Sequence, residues 1–150
     1  LVTPLAVLRY VAAIALDGRI PKFKILKDES GEPDLETAID IPASYFKIVK
    51  EGMRRAVLEG TAQAMSGVGV DVAGKTGTAQ VPDFVRGGYT DQFIHTYVGF
   101  APASDARFFI LIKLDKPHAT LAGETVVPAF QELAQYVLNY YNVPPDAAHK

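Results

Sequence analysis

At 150 residues, with 49% hydrophobic and 21% charged side chains, the chain has the size and composition of one globular domain or of part of a larger one. A net charge of −2 argues against a nucleic-acid surface, and no apolar run reaches the ~18 residues of a membrane span. The absence of cysteine excludes disulfides and thiolate metal sites, and His95, His118 and His149 lack helical metal-site spacing, so they read as surface or packing residues and nothing calls for a metal or a cofactor.

Thr3-Pro4 reads as an N-cap followed by proline at the first helical position. Leu5, Leu8, Val11, Ala12 and Ala15 follow at helical spacing, and Asp17-Gly18 is a stop. Apolar residues almost surround this helix, which predicts that it is buried. Residues 20–41 read as a surface hairpin. Phe23 and Ile25 alternate there with Lys22, Lys24 and Lys27, residues 29–34 carry Ser, Gly and Pro and should turn, and residues 38–41 return. The lysines are most simply a solvated face.

Residues 42–60 form a second predicted helix, with Phe46, Val49, Met53, Ala56, Val57 and Gly60 on one stripe and Lys50, Arg54 and Arg55 away from it. Ser44-Tyr45-Phe46-Lys47 matches S-x-x-K, a nucleophile motif of serine enzymes, and serine and lysine three residues apart are helix neighbours. The competing reading is that Ser44 caps the helix and Lys47 is solvated.

Residues 68–81 are the stretch around which the rest is organised. Val68, Val70 and Val72 alternate with Gly69 and Asp71, the period of a strand, and lead into Lys75-Thr76-Gly77-Thr78. Glycine inside a strand often marks the close approach of a ligand or another backbone. A cation, two hydroxyls and an accessible backbone at one strand end suit a carboxylate or an oxyanion. Gly69 to Thr76 also fits G-x-x-x-x-G-K-[ST], the phosphate-cradling loop. That loop needs a helix to begin at the Lys-Thr pair. Here Gly77 and Pro82 follow, with β-favouring residues between, so strand is the better reading.

Residues 82–92 read as a loop with Gly87-Gly88, carrying Phe84, Arg86 and Tyr89, which either grip a substrate or pack locally. Residues 93–100 and 107–115 are two further strands, and the nearly unbroken apolar run from 108 to 114 predicts a strand covered on both faces. Short connections favour an antiparallel meander. Residues 125–141 are the last helix, with Val126, Phe130, Leu133, Ala134, Val137 and Tyr141 as its stripe and Pro128 tolerable only in a first turn.

Lys75-Thr76-Gly77-Thr78-Ala79-Gln80 resembles the K-T-G motif of class B penicillin-binding proteins, the peptidoglycan D,D-transpeptidases of the division or elongation type. Thr3-Pro4-Leu5, Gly60-Thr61-Ala62, Tyr97-Val98-Gly99-Phe100-Ala101-Pro102, Gly123 and Val126-Val127-Pro128-Ala129-Phe130 occur in the order that family shows. The resemblance implies an α+β fold, an antiparallel sheet covered by helices as in serine β-lactamases. Residues 1–150 would be the C-terminal portion of the transpeptidase domain, starting midway through it. The N-terminal portion, with the nucleophile, would lie elsewhere. The three strands would be the third to fifth of five, with the Lys-Thr-Gly strand at the edge of the cleft and the last strand pairing onward with the first.

Roles follow by resemblance. Lys75 supplies positive potential for the substrate's terminal carboxylate and for protons near the nucleophile. The Thr76 and Thr78 hydroxyls bind that carboxylate, the Thr78 N–H forms half of the oxyanion hole, Gly77 keeps the approach open, and Gln80 is a weaker substrate contact. In the family a serine attacks the penultimate D-Ala of a stem peptide and passes the acyl group to an amine, and β-lactams mimic D-Ala-D-Ala. Within that family the spacing favours Ser44 as a cap, because Lys47 lies too close to Lys75 to leave room for the S-x-N motif. No S-x-N occurs in the chain, and Tyr140-Tyr141-Asn142 lies after Lys75 at a helix end. Implied partners are the stem peptide, β-lactams, the remainder of the domain, and a glycosyltransferase or division and elongation proteins. The implied location is extracytoplasmic, with an anchor outside this chain. The alternatives are a non-catalytic penicillin-recognising module and a nucleotide-binding protein.

Overall fold

A computed structural model describes residues 2–26, 34–36, 38–63 and 68–146. Their order is α1 (Pro4–Ala15), α2 (Ala43–Leu58), β1 (Ala73–Pro82), β2 (Tyr89–Ala101), β3 (Phe108–Asp115), a 3-10 turn at Ala122–Glu124, and α3 (Val126–Tyr140). The strands form one antiparallel meander in the order β1-β2-β3. Helices pack on both faces, which is the expected α+β class.

α1 starts as its sequence dictates. The Thr3 hydroxyl accepts the Ala6 N–H at 3.2 Å, and proline opens the helix. It stops where Asp17 and Gly18 take left-handed φ of 54° and 92°, and the Gly18 N–H returns to the Ala13 carbonyl at 2.8 Å. The expectation of a buried helix is corrected. Only Val11, Ala12 and Ala13 are buried, whereas Leu5 and Tyr10 are 58% and 64% exposed. One stripe of α1 meets the sheet, and its remaining apolar residues have no covering layer among the described residues.

The hairpin expected over residues 20–41 is reduced to one isolated antiparallel bridge, and the returning segment is 34–36 instead of the expected 38–41, where the Ile39 N–H donates to the Gly18 carbonyl. Pro21 bridges Leu35, and the Lys22 and Glu36 N–H groups donate to the Asp34 and Ile20 carbonyls, each at 2.8 Å. Its turn and Lys27 lie outside the described residues. Phe23 and Ile25 are both exposed, so the alternation there does not bury a face.

α2 buries Phe46, Met53 and Val57, while Val49, expected on the same stripe, is exposed. Pro42 stands at the N-cap with no side-chain hydrogen bond, and Ser44 is the second helical residue. The capping role expected of Ser44 is therefore not what holds this end. Met53 packs with Val11, Ala73, Val98 and Phe100 on one sheet face, and Val57 packs with Tyr97 and Phe130 on the other. α2 thus passes from one core cluster to the other, and its C-terminal end arrives beside β1.

The first strand begins later than the valine alternation predicts. Val68, Val70 and Val72 are all buried, as period two requires, but the ladder starts at Ala73. The cause is tertiary. Gly69 takes φ +79°, the Asp71 carbonyl accepts the Ala103 N–H at 2.7 Å, and the Asp71 N–H donates to the Asp146 carboxylate at 2.7 Å. Asp71 also accepts Arg54 Nε at 2.6 Å. That bond is the main reason the guanidinium is held above its ordinary range. The backbone that would extend the strand is used in these contacts instead.

β3 pairs with β2 on one side, and no strand lies beyond it among the described residues. Its residues 108–112 are half-buried, so the covering expected on both faces is only partial in this chain. In α3, Pro128 falls in the first turn as required. The buried stripe is Val126, Val127, Phe130, Ala134 and Leu138, and the expected Leu133 and Tyr141 are exposed. Both sets fit a helical period, and the sheet selects the one on which Phe130 and Leu138 reach the core.

Candidate active site

Side chains alternate along β1, so Lys75, Gly77 and Ala79 project to one face and Thr76, Thr78 and Gln80 to the other. Among the described residues β1 pairs only with β2, and no strand lies along its outer edge. An open edge presents unpaired backbone N–H and C=O groups. No helix begins at Lys75-Thr76, which removes the geometry that a phosphate-cradling loop requires.

The sequence-chosen residues fall together on this edge. Lys75 and Thr78 are exposed, and Thr76 and Gly77 are half-exposed. Lys75 Nζ donates to the Thr76 carbonyl at 2.8 Å and approaches Thr76 Oγ1 at 3.5 Å. Among the described residues Lys75 is in no salt bridge. Gln80 is partly spent: its amide nitrogen donates to the Thr90 carbonyl across the hairpin at 3.3 Å.

Glycine at 77 has a steric reason. A Cβ there would stand 2.4 Å from Thr96 Oγ1 on the paired residue of β2. Glycine at 74 has a harder one, since a Cβ would meet the Tyr97 hydroxyl at 2.1 Å and its ring at 2.4 Å. Tyr97 is fully buried, and burial pushes its phenol well above the ordinary range, so it stays protonated. On the same face His95, paired with Thr78, is fully buried. Its Nδ1 shares a hydrogen bond with Thr125 Oγ1 at 2.9 Å, and that hydroxyl lies 3.5 Å from the Ala122 carbonyl. His95 is thus the packing residue its isolation predicted, and it ties the back of β1 and β2 to the start of α3.

Sequence reasoning did not assign Thr61, whose hydroxyl lies 3.0 Å from that of Thr76. The only signal was its place in the Gly60-Thr61-Ala62 segment.

Ser44 does not join this group. α2 rises about 1.5 Å per residue, which puts Ser44 about 21 Å along the axis from Leu58, the end near Thr61. Both Ser44 and Lys47 are exposed. A cavity of about 690 Å³ lies at the base of β3, lined by Pro102, Ser104, Arg107, Phe108, Tyr141 and Asp146 among others, and touches none of residues 75–80.

The loop expected over residues 82–92 is a tight turn, and β2 already starts at Tyr89. Asp83 organises it. Its Oδ1 accepts the Val85 and Arg86 N–H groups, each at 2.9 Å, and its carbonyl accepts the Gly87 N–H at 3.0 Å. Phe84 is 87% exposed and Tyr89 71% exposed, so local packing does not account for them. The Arg86 and Val85 N–H groups hold the Asp83 carboxyl below its usual 3.8. A depressed carboxyl stabilises the turn above its unfolded pKa and loses that effect as pH falls through the folded value. The Val85 and Arg86 amide resonances are therefore expected to stay fixed down to about pH 4 and to shift only in stronger acid. A midpoint near neutral pH would contradict this.

Comparison with known proteins places the fold and the sequence together. The sequence profile of the penicillin binding protein transpeptidase domain matches residues 1–135. Over 67% of its length the chain is 36% identical to the penicillin-binding protein PbpB of Mycolicibacterium smegmatis, and it spans 16% of that protein. Over 98% of its length it is 31% identical to the peptidoglycan D,D-transpeptidase FtsI of Escherichia coli, and it spans 25% of that protein. The transpeptidase domain of penicillin-binding protein 3 from Burkholderia pseudomallei superposes with a TM-score of 0.83 at 26% identity, covering 97% of this chain and 44% of that one. Penicillin-binding protein 3 of Mycobacterium tuberculosis, solved with ampicillin, superposes with a TM-score of 0.79 at 29% identity, covering 97% of this chain and 36% of that one. The fold, the ordered motifs and the profile agree, and the chain belongs to the penicillin-binding protein transpeptidase domain family.

Proposed function

We propose that this chain supplies the substrate-facing edge strand of a peptidoglycan D,D-transpeptidase that works through a serine acyl-enzyme and is trapped by β-lactams. The observation that carries this reading is the edge of β1, where Lys75, with no salt bridge among the described residues, reaches round to the Thr76 carbonyl and hydroxyl, and Thr78 is exposed two residues on, in a chain of this family. A cation and two hydroxyls on an accessible strand match a peptide's terminal carboxylate. An N–H of the same open edge, that of Thr78, matches the oxyanion that forms when a serine attacks the penultimate D-Ala carbonyl. Gly77 leaves the approach clear, and Gln80 is a lesser contact because its amide is engaged with Thr90.

In this reading residues 1–150 are the C-terminal portion of the domain. The serine and lysine of S-x-x-K and the S-x-N pair come from the remainder, which also extends the sheet beyond β3. The same reading assigns an extracytoplasmic location with an anchor elsewhere, and glycosyltransferase, division or elongation proteins as partners. Labelling with a fluorescent penicillin tests it. The longer protein that carries this chain is expected to be labelled covalently at a serine outside residues 1–150, and the chain alone is expected to remain unlabelled. Reversible binding without a covalent adduct would favour a recognition module instead, and label on Ser44 would overturn the division of roles.

A further inference from the structure

We propose that Thr61 is a positioning residue for carboxylate recognition: its hydroxyl donates to Thr76 and turns the Thr76 proton outward, toward the substrate's terminal carboxylate. This rests on the transpeptidase reading above and assigns that site a member beyond Lys75, Thr76 and Thr78.

The two Oγ1 atoms are 3.0 Å apart, and either can donate. A hydroxyl has one proton and two acceptor lone pairs. The Lys75 ammonium, 3.5 Å from Thr76 Oγ1, has donors only, so Thr76 accepts on that side. If Thr76 also donated to Thr61, its single proton would be spent, and an arriving anion would face lone pairs. With Thr61 as donor, Thr76 accepts from both neighbours and keeps its proton for the ligand. A carboxylate selects this direction, because donors aligned toward a negative charge polarise and strengthen one another.

The fold holds Thr61 in place for this. It follows the end of α2, and the next residue, Ala62, is buried and returns its N–H to the Ala56 carbonyl at 3.2 Å. On the other side its carbonyl lies against Gly123 of the 3-10 turn, where an added Cβ would come within 3.2 Å. The Thr61 side chain itself is exposed, so its hydroxyl serves no core packing.

The test uses the longer protein that carries this chain, with benzylpenicillin and its methyl ester as probes. Thr61→Val removes the hydroxyl and keeps the shape. It is expected to slow acylation by the free acid about five- to tenfold, the loss of one hydrogen bond between neutral groups, and to leave the ester rate at its wild-type value. Thr61→Ser is expected to restore the wild-type rate with the acid. Thr61→Ala, which lacks both hydroxyl and branch, should show the same acid-specific loss if the valine variant folds poorly. Equal losses on acid and ester would mean a merely structural role, and a wild-type acid rate in Thr61→Val and Thr61→Ala would remove the role altogether; either result overturns the proposal. Absence of acylation in the wild type would instead sink the transpeptidase reading, and the proposal with it.

Discussion

In the complete transpeptidase domain proposed above, Lys75→Ala is expected to slow acylation by benzylpenicillin about 100- to 1,000-fold, the usual cost of removing one group aimed at transition-state charge. The fold should survive. Lys75 is exposed on an edge strand, bonds only the Thr76 carbonyl and hydroxyl, and is in no salt bridge among the described residues. Substitutions of that kind change stability by about 0.5 kcal/mol or less. Stopped-flow acylation measured beside thermal unfolding separates the two effects. A near-wild-type rate would remove Lys75 from the site, and a large loss of stability would make it a structural residue.

Phe130→Ala should have the largest effect on stability, about 3–5 kcal/mol. Phe130 is fully buried, and its ring meets that of Tyr97 edge-on with centroids 4.6 Å apart. A Cβ at Gly99 would come within 3.1 Å of the Phe130 ring, so the ring sits almost on the β2 backbone. Truncation leaves a cavity between α3 and the sheet, and Tyr97, whose hydroxyl fills the space over Gly74, loses its main support. The effect should reach the site, because Gly74 immediately precedes Lys75. Chemical denaturation of the wild type and the variant measures it, and a loss below about 1 kcal/mol would show that the aromatic pair is not the centre of this core.

The candidate site could be proposed from the sequence because it is short and contiguous. Lys75 to Thr78 lie on one strand, so a local motif was enough to nominate them. The antiparallel meander was equally accessible, from three β-rich segments joined by short connections. The rest depends on contacts between distant segments. The valine alternation at 68–72 was real as burial, but Asp71 spends its backbone on Ala103 and Asp146, which no local pattern announces. The α1 and α3 sequences carry more apolar positions than one face can use, and only the sheet decides which ones it covers. Thr61 meets Thr76 because α2 carries the chain from one core cluster to the other before β1 begins, and a hydroxyl pair has no sequence signature. At Ser44 the motif alone was ambiguous. The length of α2 separates that serine from the Lys-Thr-Gly strand, while the N-cap position belongs to Pro42.

The most direct measurement is the structure of the β-lactam acyl-enzyme of the complete transpeptidase domain proposed above. The drug's carboxylate is expected within about 3 Å of the Thr76 and Thr78 hydroxyls and beside Lys75, with the acyl carbonyl oxygen on the Thr78 N–H. An adduct whose carboxylate lies away from β1, for example in the cavity at the base of β3, would contradict the assignment of residues 75–78 as the recognition strand.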